Sequence, residues 1–385
     1  MSKIKLKHSS GNSMSIGAPA TNPASDLELK LPATIGNAGQ ALINSSTPGT
    51  LEFGTPAAAS RNLISNGSQI ISQRGATFAS AANGYTTDRW RWEQSNDGAV
   101  TVSQSTTSPD GFSNSLKVDV TTADTSITGS QYAEVYQVIE AQNLQQLAYG
   151  TSSAKTMTLS FYVRSNKTGN YGIALHQADN GSKQMSLQYA INSADTWERK
   201  TLTIAADTAG VINNDTGSGI LIFWVLAAGP SYTSGSLRSN WTAFSAGDFA
   251  KGQEVNLMDS TSNEWHITGV QLEVGSYATD FEHRSFGDEL LRCQRYFQAF
   301  PYNDTSTAQG LRLNGDFSTV TSVPMRTTPG GVVYGTGGIA GSNSGKYDKD
   351  AVGNTTASIE AKITGFEIDT DGGVGIAAVT LDAEL

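Results

Sequence analysis

Along most of the chain, apolar residues fall on every second position in short blocks, with stretches rich in Ser, Thr, Gly and Asn between them. That period puts alternate side chains on opposite faces and predicts half-buried β-strands. Leu116, Val118 and Val120 form one block, and Val135, Gln137 and Ile139 alternate with Tyr132, Glu134, Tyr136 and Val138 in another. Met157, Leu159, Phe161 and Val163 oppose Thr158, Ser160, Tyr162 and Arg164, and Met185, Leu187, Tyr189 and Ile191 repeat the rhythm. Leu202 and Ile204 follow Trp197. The run from Ile220 to Leu226 is apolar without a break, as expected of a strand buried on both faces. His266, Thr268, Val270, Leu272 and Val274 close the series. Strands joined by polar loops over residues 57–285 predict a two-sheet sandwich of jelly-roll type.

The rhythm differs at both ends. Residues 1–56 hold only scattered alternations: Ile4 and Leu6; Leu27, Leu29 and Leu31; then Leu42, Leu51 and Phe53 around a turn at Pro48-Gly49. Such pieces carry too little apolar mass for a core of their own, so an arm that docks on a partner is expected. Residues 286–300 read as a hinge helix, with Asp288 as its N-cap and Leu290, Leu291, Gln294 and Phe297 as its apolar stripe. Past Pro301 the pattern is β again, at Leu311, Leu313, Val332, Val333, Ile359–Ile368 and Val374–Leu381, so residues 301–385 are expected to form a small β-sandwich domain.

Composition narrows the class. Ser, Thr, Gly and Asn make up 148 of 385 residues, which disfavours a helical bundle and fits an all-β protein with many turns. The formal net charge is −10, which argues against a nucleic-acid partner. No stretch approaches the ~18 apolar residues of a membrane span, so no membrane insertion is expected. One cysteine, Cys293, excludes an internal disulfide framework and reads as a small buried hydrophobe. Residues 1–7 lack the apolar segment of a secretory signal, so synthesis in a cytoplasm is expected.

Three segments resemble virion fibre and decoration proteins of tailed bacteriophages, of the marine and cyanobacterial type. Residues 29–42, Leu-Lys-Leu-Pro-Ala-Thr-Ile-Gly-Asn-Ala-Gly-Gln-Ala-Leu, with Gly49-Thr50-Leu51-Glu52-Phe53-Gly54 after them, resemble a short fibre-shaft motif. Residues 62–67, Asn-Leu-Ile-Ser-Asn-Gly, with Gln73-Arg74-Gly75 and Tyr85-Thr86-Thr87-Asp88-Arg89-Trp90, resemble the opening of a jelly roll like a carbohydrate-binding module. Residues 268–282 and Cys293-Gln294-Arg295-Tyr296-Phe297 resemble its last strand and the hinge beyond. The Val323-Pro324-Met325-Arg326 turn and Asp382-Ala383-Glu384-Leu385 fit the small domain seen with it. The resemblance implies a virion surface protein, commonly trimeric.

The sequence carries no persuasive catalytic constellation. His8, His176, His266 and His283 are far apart and fit no zinc spacing. Asp88, Glu93, Asp97, Glu134 and Glu140 are carboxylates that spacing alone cannot bring together as a glycosidase pair. Asp179-Asn180-Gly181 and Asn213-Asn214-Asp215 offer oxygen ligands for a structural calcium, but ordinary turn chemistry explains them too. No other cofactor or metal is expected. Sugar binding suits the residues best, because flat aromatic rings stack on the C–H faces of sugars while amides and guanidinium groups bond hydroxyls. The candidates are Tyr232, Arg238, Asn240, Trp241 and Phe244 in one polar loop, and Trp90 and Trp92, which share a strand face that points either outward as a platform or inward as core.

The expectation is a non-enzymatic, trimeric tail fibre that works on the virion. Its arm, through Ile4, Leu6, Leu27, Leu29, Leu31, Leu42, Leu51 and Phe53, contacts other virion proteins and its trimer mates. Its body binds host-surface glycans. A capsid decoration or head-fibre protein is the alternative, and a glycan-degrading tail spike the third.

Overall fold

A computed structural model describes residues 3–7, 13–17, 28–33, 41–44, 50–54, 61–179, 182–301, 311–313, 317–320, 323–335, 347–349, 355–362, 364–370 and 374–385. The chain divides into two compact units, residues 1–59 and 60–385.

The first unit is built from hairpins. β1 (Lys3–Lys7) pairs antiparallel with β2 (Ser13–Gly17), in a register that sets Ile4 opposite Ile16 and Leu6 opposite Met14. β3 (Ala41–Asn44) pairs with β4 (Leu51–Gly54), placing Leu42 opposite Phe53 and Asn44 opposite Leu51. Residues 28–33 differ from the strand that their alternation predicted. They hold a single parallel bridge, Lys30 to Thr50, and Leu29 and Leu31 are exposed, because no strand among the described residues continues the ladder. Leu27 and the shaft-like residues 34–40 lie outside the described residues.

The second unit opens on short strands, β5 (Thr77–Phe78), β6 (Gly84–Tyr85) and β7 (Arg91–Ser95). β8 (Ala99–Ser105), β9 (Ser115–Thr122) and β10 (Tyr132–Glu140) follow. Next come β11 (Met157–Ser165), β12 (Gly169–Gln177), β13 (Lys183–Ile191), β14 (Glu198–Ile204) and β15 (Ser218–Ala228). Two one-turn helices, α1 (Pro230–Thr233) and α2 (Ala246–Phe249), flank β16 (Thr242–Ala243), and β17 (Glu264–Val274) completes the set. They form an all-β jelly-roll sandwich. One sheet runs β16-β13-β12-β15-β10-β7-β6, and the facing sheet runs β14-β11-β17-β9-β8-β5.

Alternation decides the core. Trp92, Val135, Ile173 and Trp224 point inward from the first sheet, and Val118, Phe161, Trp265 and Ile267 meet them from the second. Trp224 lies 5.2 Å from Trp90 and 5.9 Å from Phe161, ring to ring. Burying each such side chain contributes about 1.5–3 kcal/mol. The unbroken run in β15 is covered on both sides as expected. Ile220, Ile222 and Trp224 enter the core, while Phe223 and Val225 face a second cluster with Tyr136, Val138, Ala174 and Ala250 on the sheet's outer side.

The Asn-Leu-Ile-Ser-Asn-Gly segment has a structural explanation. Asn66 is fully buried in a left-handed conformation, with φ of 54°. Its side-chain amide donates to the carbonyls of Ile71 and Asp88 at 2.8 and 3.0 Å and accepts from Ile71 N–H at 3.0 Å, tying the loop to the turn that launches β7. Beside it, a Cβ on Gly67 would lie 2.2 Å from the Val270 carbonyl oxygen, so only glycine fits against β17.

The helix α3 (Phe286–Gln294) starts one turn earlier than the Asp288 cap implied. Ser285 is the N-cap, its hydroxyl accepting from Asp288 N–H at 3.2 Å. The buried side is Glu289 and Cys293, while Phe286 and Leu291 are exposed, because Glu289 is anchored by Arg284 and by the Asn66 N–H.

β18 (Phe297–Pro301), β19 (Leu311–Leu313), β20 (Phe317–Val320), β21 (Gly330–Gly335), β22 (Tyr347–Lys349), β23 (Thr355–Lys362), β24 (Gly365–Thr370) and β25 (Val374–Asp382) form two four-stranded antiparallel sheets. β25 is the hub of one, pairing with β18, β19 and β21. The residues after β25 reach back to the jelly roll. Glu384 forms a buried ion pair with Arg89, whose guanidinium stacks 3.5 Å from the Tyr296 ring centre. Arg326 donates to the carbonyls of Ala383, Glu384 and Thr216 at 2.8, 2.9 and 2.7 Å. Glu140, completely buried, receives Arg295 at 2.7 and 3.1 Å and the Tyr296 hydroxyl at 2.8 Å. Among the described residues, no helix is long and apolar enough to cross a membrane.

Candidate functional site

The outer face of the seven-stranded sheet carries a pocket of about 240 Å³. β7 gives Glu93, β10 gives Tyr132 and Glu134, and β15 gives Phe223, Val225 and Ala228. Tyr232 of α1, Phe249 of α2, Phe244 and Ala250 wall it from the loop above. The parity of the strands creates this floor. Because Trp92 and Val135 point into the core, Glu93 and Glu134 must point out, and the register places them directly opposite each other.

The two carboxyls have different environments. Glu93 accepts the hydroxyls of Tyr132 and Tyr136 at 3.1 and 2.9 Å, and Arg91 lies 3.5 Å away. Glu134 is only 8% exposed, and no hydrogen bond or ion pair reaches its carboxyl among the described residues. Burial, with the like charge of Glu93 added, pushes its pKa up to about 8. A carboxyl bound to its proton more tightly in the folded state than in the unfolded chain stabilises the fold below the ordinary value of 4.5, and this contribution is lost as pH rises toward 8. Glu134→Gln is therefore expected to flatten the fall in unfolding free energy between these pH values. Urea titrations at a series of pH values read this as a difference from the parent protein, and parallel curves for the two proteins would contradict it.

The loop over the pocket is held at many points. Gly235 N–H donates to Gly247 at 2.8 Å, and Ala250 N–H to Tyr232 at 2.9 Å. Asp248 accepts from Ser236 N–H at 2.6 Å and from Arg238 Nε at 2.8 Å, and these bonds hold its carboxyl below the usual range. Edge-to-face rings line the rim: Tyr132 with Tyr232 at 5.9 Å and Phe223 with Phe249 at 5.2 Å.

Of the residues expected to touch a sugar, Tyr232 and Phe244 reach this pocket. Arg238 braces the loop through Asp248. Trp241 donates its indole N–H to the Ala205 carbonyl at 2.8 Å and packs against the core and Tyr149, and Asn240 is exposed. Trp90 and Trp92 are fully buried and offer no stacking surface, which corrects the platform reading: their large rings fill the space between the sheets. Sequence reasoning missed Tyr132, Phe223 and Phe249. The outward alternation of Tyr132, Glu134 and Tyr136 was the available signal, but locating it needed the partner strand.

The structure disposes the remaining carboxylates differently. Asp88 accepts from Gln73, and Asp179 accepts from the Asn213 N–H and side-chain amide at 3.0 and 2.8 Å, which makes it a loop staple. No group of three His, Cys, Asp or Glu side chains among the described residues is placed to hold a metal ion.

One other cluster has the order of a hydrolase triad. Ser115 Oγ lies 3.1 Å from His266 Nδ1, and His266 Nε2 lies 3.4 Å from Glu264. Yet Ser115 is fully buried and its hydroxyl donates to the Thr107 carbonyl at 2.6 Å, so it has neither access nor a free proton to transfer. Burial also pulls His266 down to about 4.

No protein-family model matches the sequence, and no curated protein matches it. Several solved structures are similar in part. The enzymatically active domain of tailspike protein 4 from Bacteriophage CBA120 aligns with a TM-score of 0.31 and 13% identity, over 58% of this chain and 23% of that one. This chain thus spans under a quarter of the tailspike structure. A putative sugar binding protein from Bacteroides thetaiotaomicron VPI-5482 aligns with a TM-score of 0.31 and 14% identity, over 56% of this chain and 100% of that one. TmCBM61, in complex with beta-1,4-galactotriose, aligns with a TM-score of 0.26 and 13% identity, over 56% and 100%.

Proposed function

We propose that this protein binds glycans through the outer-face pocket, without catalysis, as a surface component of a phage virion. The observation that carries the binding reading is the pocket's composition. Tyr132, Tyr232, Phe223, Phe244 and Phe249 surround a polar floor of Glu93 and Glu134 on a rigid sheet. Sugars present both chemistries, C–H faces for the rings and hydroxyls for the carboxyls. The volume lies below the roughly 300–1,000 Å³ of sites for larger ligands, so one ring or one chain end enters. The virion placement, as a homotrimeric tail fibre joined to other virion proteins by residues 1–56, is supported by the resemblance of the three sequence segments to phage fibres. A monomeric mass in light scattering would remove the trimer.

A glycan array probed with the full chain tests the binding reading. Tyr232→Ala combined with Phe244→Ala is expected to weaken the array signal by about tenfold, the scale of one or two lost ring contacts. Both side chains lie at the rim, so the melting temperature should move little. Absence of signal for the parent protein on every glycan would defeat the proposal.

A further inference from the structure

We infer that the pocket recognises a sugar carrying a free amine, with the ammonium group seated between Glu134 and Glu93; this rests on the glycan-binding reading above. The first ground is the geometry of the pair. Two carboxyls directly opposite on neighbouring antiparallel strands repel when both are ionised. Arg91 relieves only Glu93, at 3.5 Å. Glu134 is left nine-tenths buried, without a hydrogen bond or counter-ion among the described residues, and faces the cavity. A buried carboxyl without a partner is costly, and a cation delivered by the ligand supplies both the charge and the donors it lacks.

The walls give the second ground. Tyr132, Tyr232, Phe223, Phe244 and Phe249 enclose the same space. Aromatic faces attract a cation through their negative quadrupole, and the attraction grows as water is excluded. A neutral sugar would stack on these rings and donate hydroxyls to the carboxyls, but it would bring no charge to offset the repulsion between them. An N-acetylated sugar would bring an amide with no charge and a methyl group against the carboxyls. Size gives the third ground. At about 240 Å³ the cavity matches a single sugar ring, so the amine is expected on the one residue seated in it.

The groups that face Glu134 can be named from each packed element. β7 gives Glu93 and Arg91, β10 gives Tyr132 and Tyr136, and α1 gives Tyr232. The described pocket face of β15 gives only Phe223, Val225 and Ala228, with no titrating group. His176 stands behind Phe244 and is held below its ordinary value of 6.5 by burial. A proton on Glu134 competes with the ammonium, so affinity should climb as pH rises from 5 toward the point at which the amino sugar itself begins to lose its proton.

The test uses the full chain with two probes in calorimetry, β-1,4-linked tetraglucosamine and its fully N-acetylated counterpart. Tetraglucosamine is expected to bind at least about tenfold more tightly at pH 6, where its amines carry their protons. Glu134→Gln, which keeps size and shape, should erase that preference and the rise with pH while leaving the circular dichroism spectrum unchanged. Equal affinity for the two probes, or a preference that survives Glu134→Gln, overturns the inference. If neither probe binds but a neutral glycan does, the amine inference falls and the glycan reading stands. If no glycan binds, both fall.

Discussion

Glu384→Ala is expected to cost about 3–5 kcal/mol of stability, the scale of leaving one partner of a buried ion pair uncompensated. Arg89 and Glu384 are 2% and 4% exposed, and among the described residues Arg89 has no other carboxylate within ion-pair distance. The guanidinium would keep only the Val138 carbonyl and the face of Tyr296. Arg74, which reaches both Asp382 and Glu384, would lose half of its anchorage as well. Against a typical total of about 5–15 kcal/mol, this is enough to lower the urea midpoint severely. The double replacement Arg89→Met with Glu384→Leu separates charge from packing, because it removes both charges together. It should be far less destabilising than the sum of the single changes. A Glu384→Ala protein that unfolds at the parent midpoint would show that the pair contributes nothing.

Asn66→Ala is expected to be of similar size, about 3–5 kcal/mol, for a different reason. The amide satisfies three backbone groups, two carbonyls and one N–H, in a place that water cannot reach. Alanine would strand all three and would also have to hold a φ of 54°. Asn66→Asp keeps the acceptor for Ile71 N–H but cannot donate, so it should be at least as damaging. Thermal unfolding followed by circular dichroism reads both variants. A shift of under about 2 °C for Asn66→Ala would reject the role given to the amide.

Much of the sandwich was legible because one side of each long strand is core. Leu116, Val118 and Val120, or Met157, Leu159, Phe161 and Val163, announce their face without help from the partner strand. Ile220–Leu226 was legible for the opposite reason, since a strand covered on both sides has no polar face to alternate. The N-cap was harder, because Ser285 and Asp288 are both good caps and only the backbone geometry chooses between them. Residues 28–33 misled because alternation states what a strand would bury but not whether a neighbour exists to pair with it. The site was the least legible part. Trp90 and Trp92 are aromatics two apart, a spacing equally compatible with platform and core, and their size is the reason they are core. The floor of the pocket comes from β7 and β10, whose side chains meet only once the register is fixed. Glu93 and Glu134 were visible singly, and nothing in their spacing, 41 positions apart in the sequence, marks them as a pair.

The division of labour in the pocket bears on how such a protein changes over generations. Its carboxyl floor is locked to the core by strand parity, since shifting Glu93 or Glu134 by one position would drag Trp92 or Val135 out of the sandwich. Tyr132 and Phe223 are sheet residues like the floor, but Tyr232, Phe244, Phe249 and Ala250 belong to one contiguous loop that contains neither Trp92 nor Val135. Under the proposed reading, selection can therefore exchange the loop that would meet a ligand's outline while inheriting the carboxyl floor unaltered. If the pocket binds glycans as proposed, relatives with different ligands should differ first between residues 229 and 250 and last at the two glutamates.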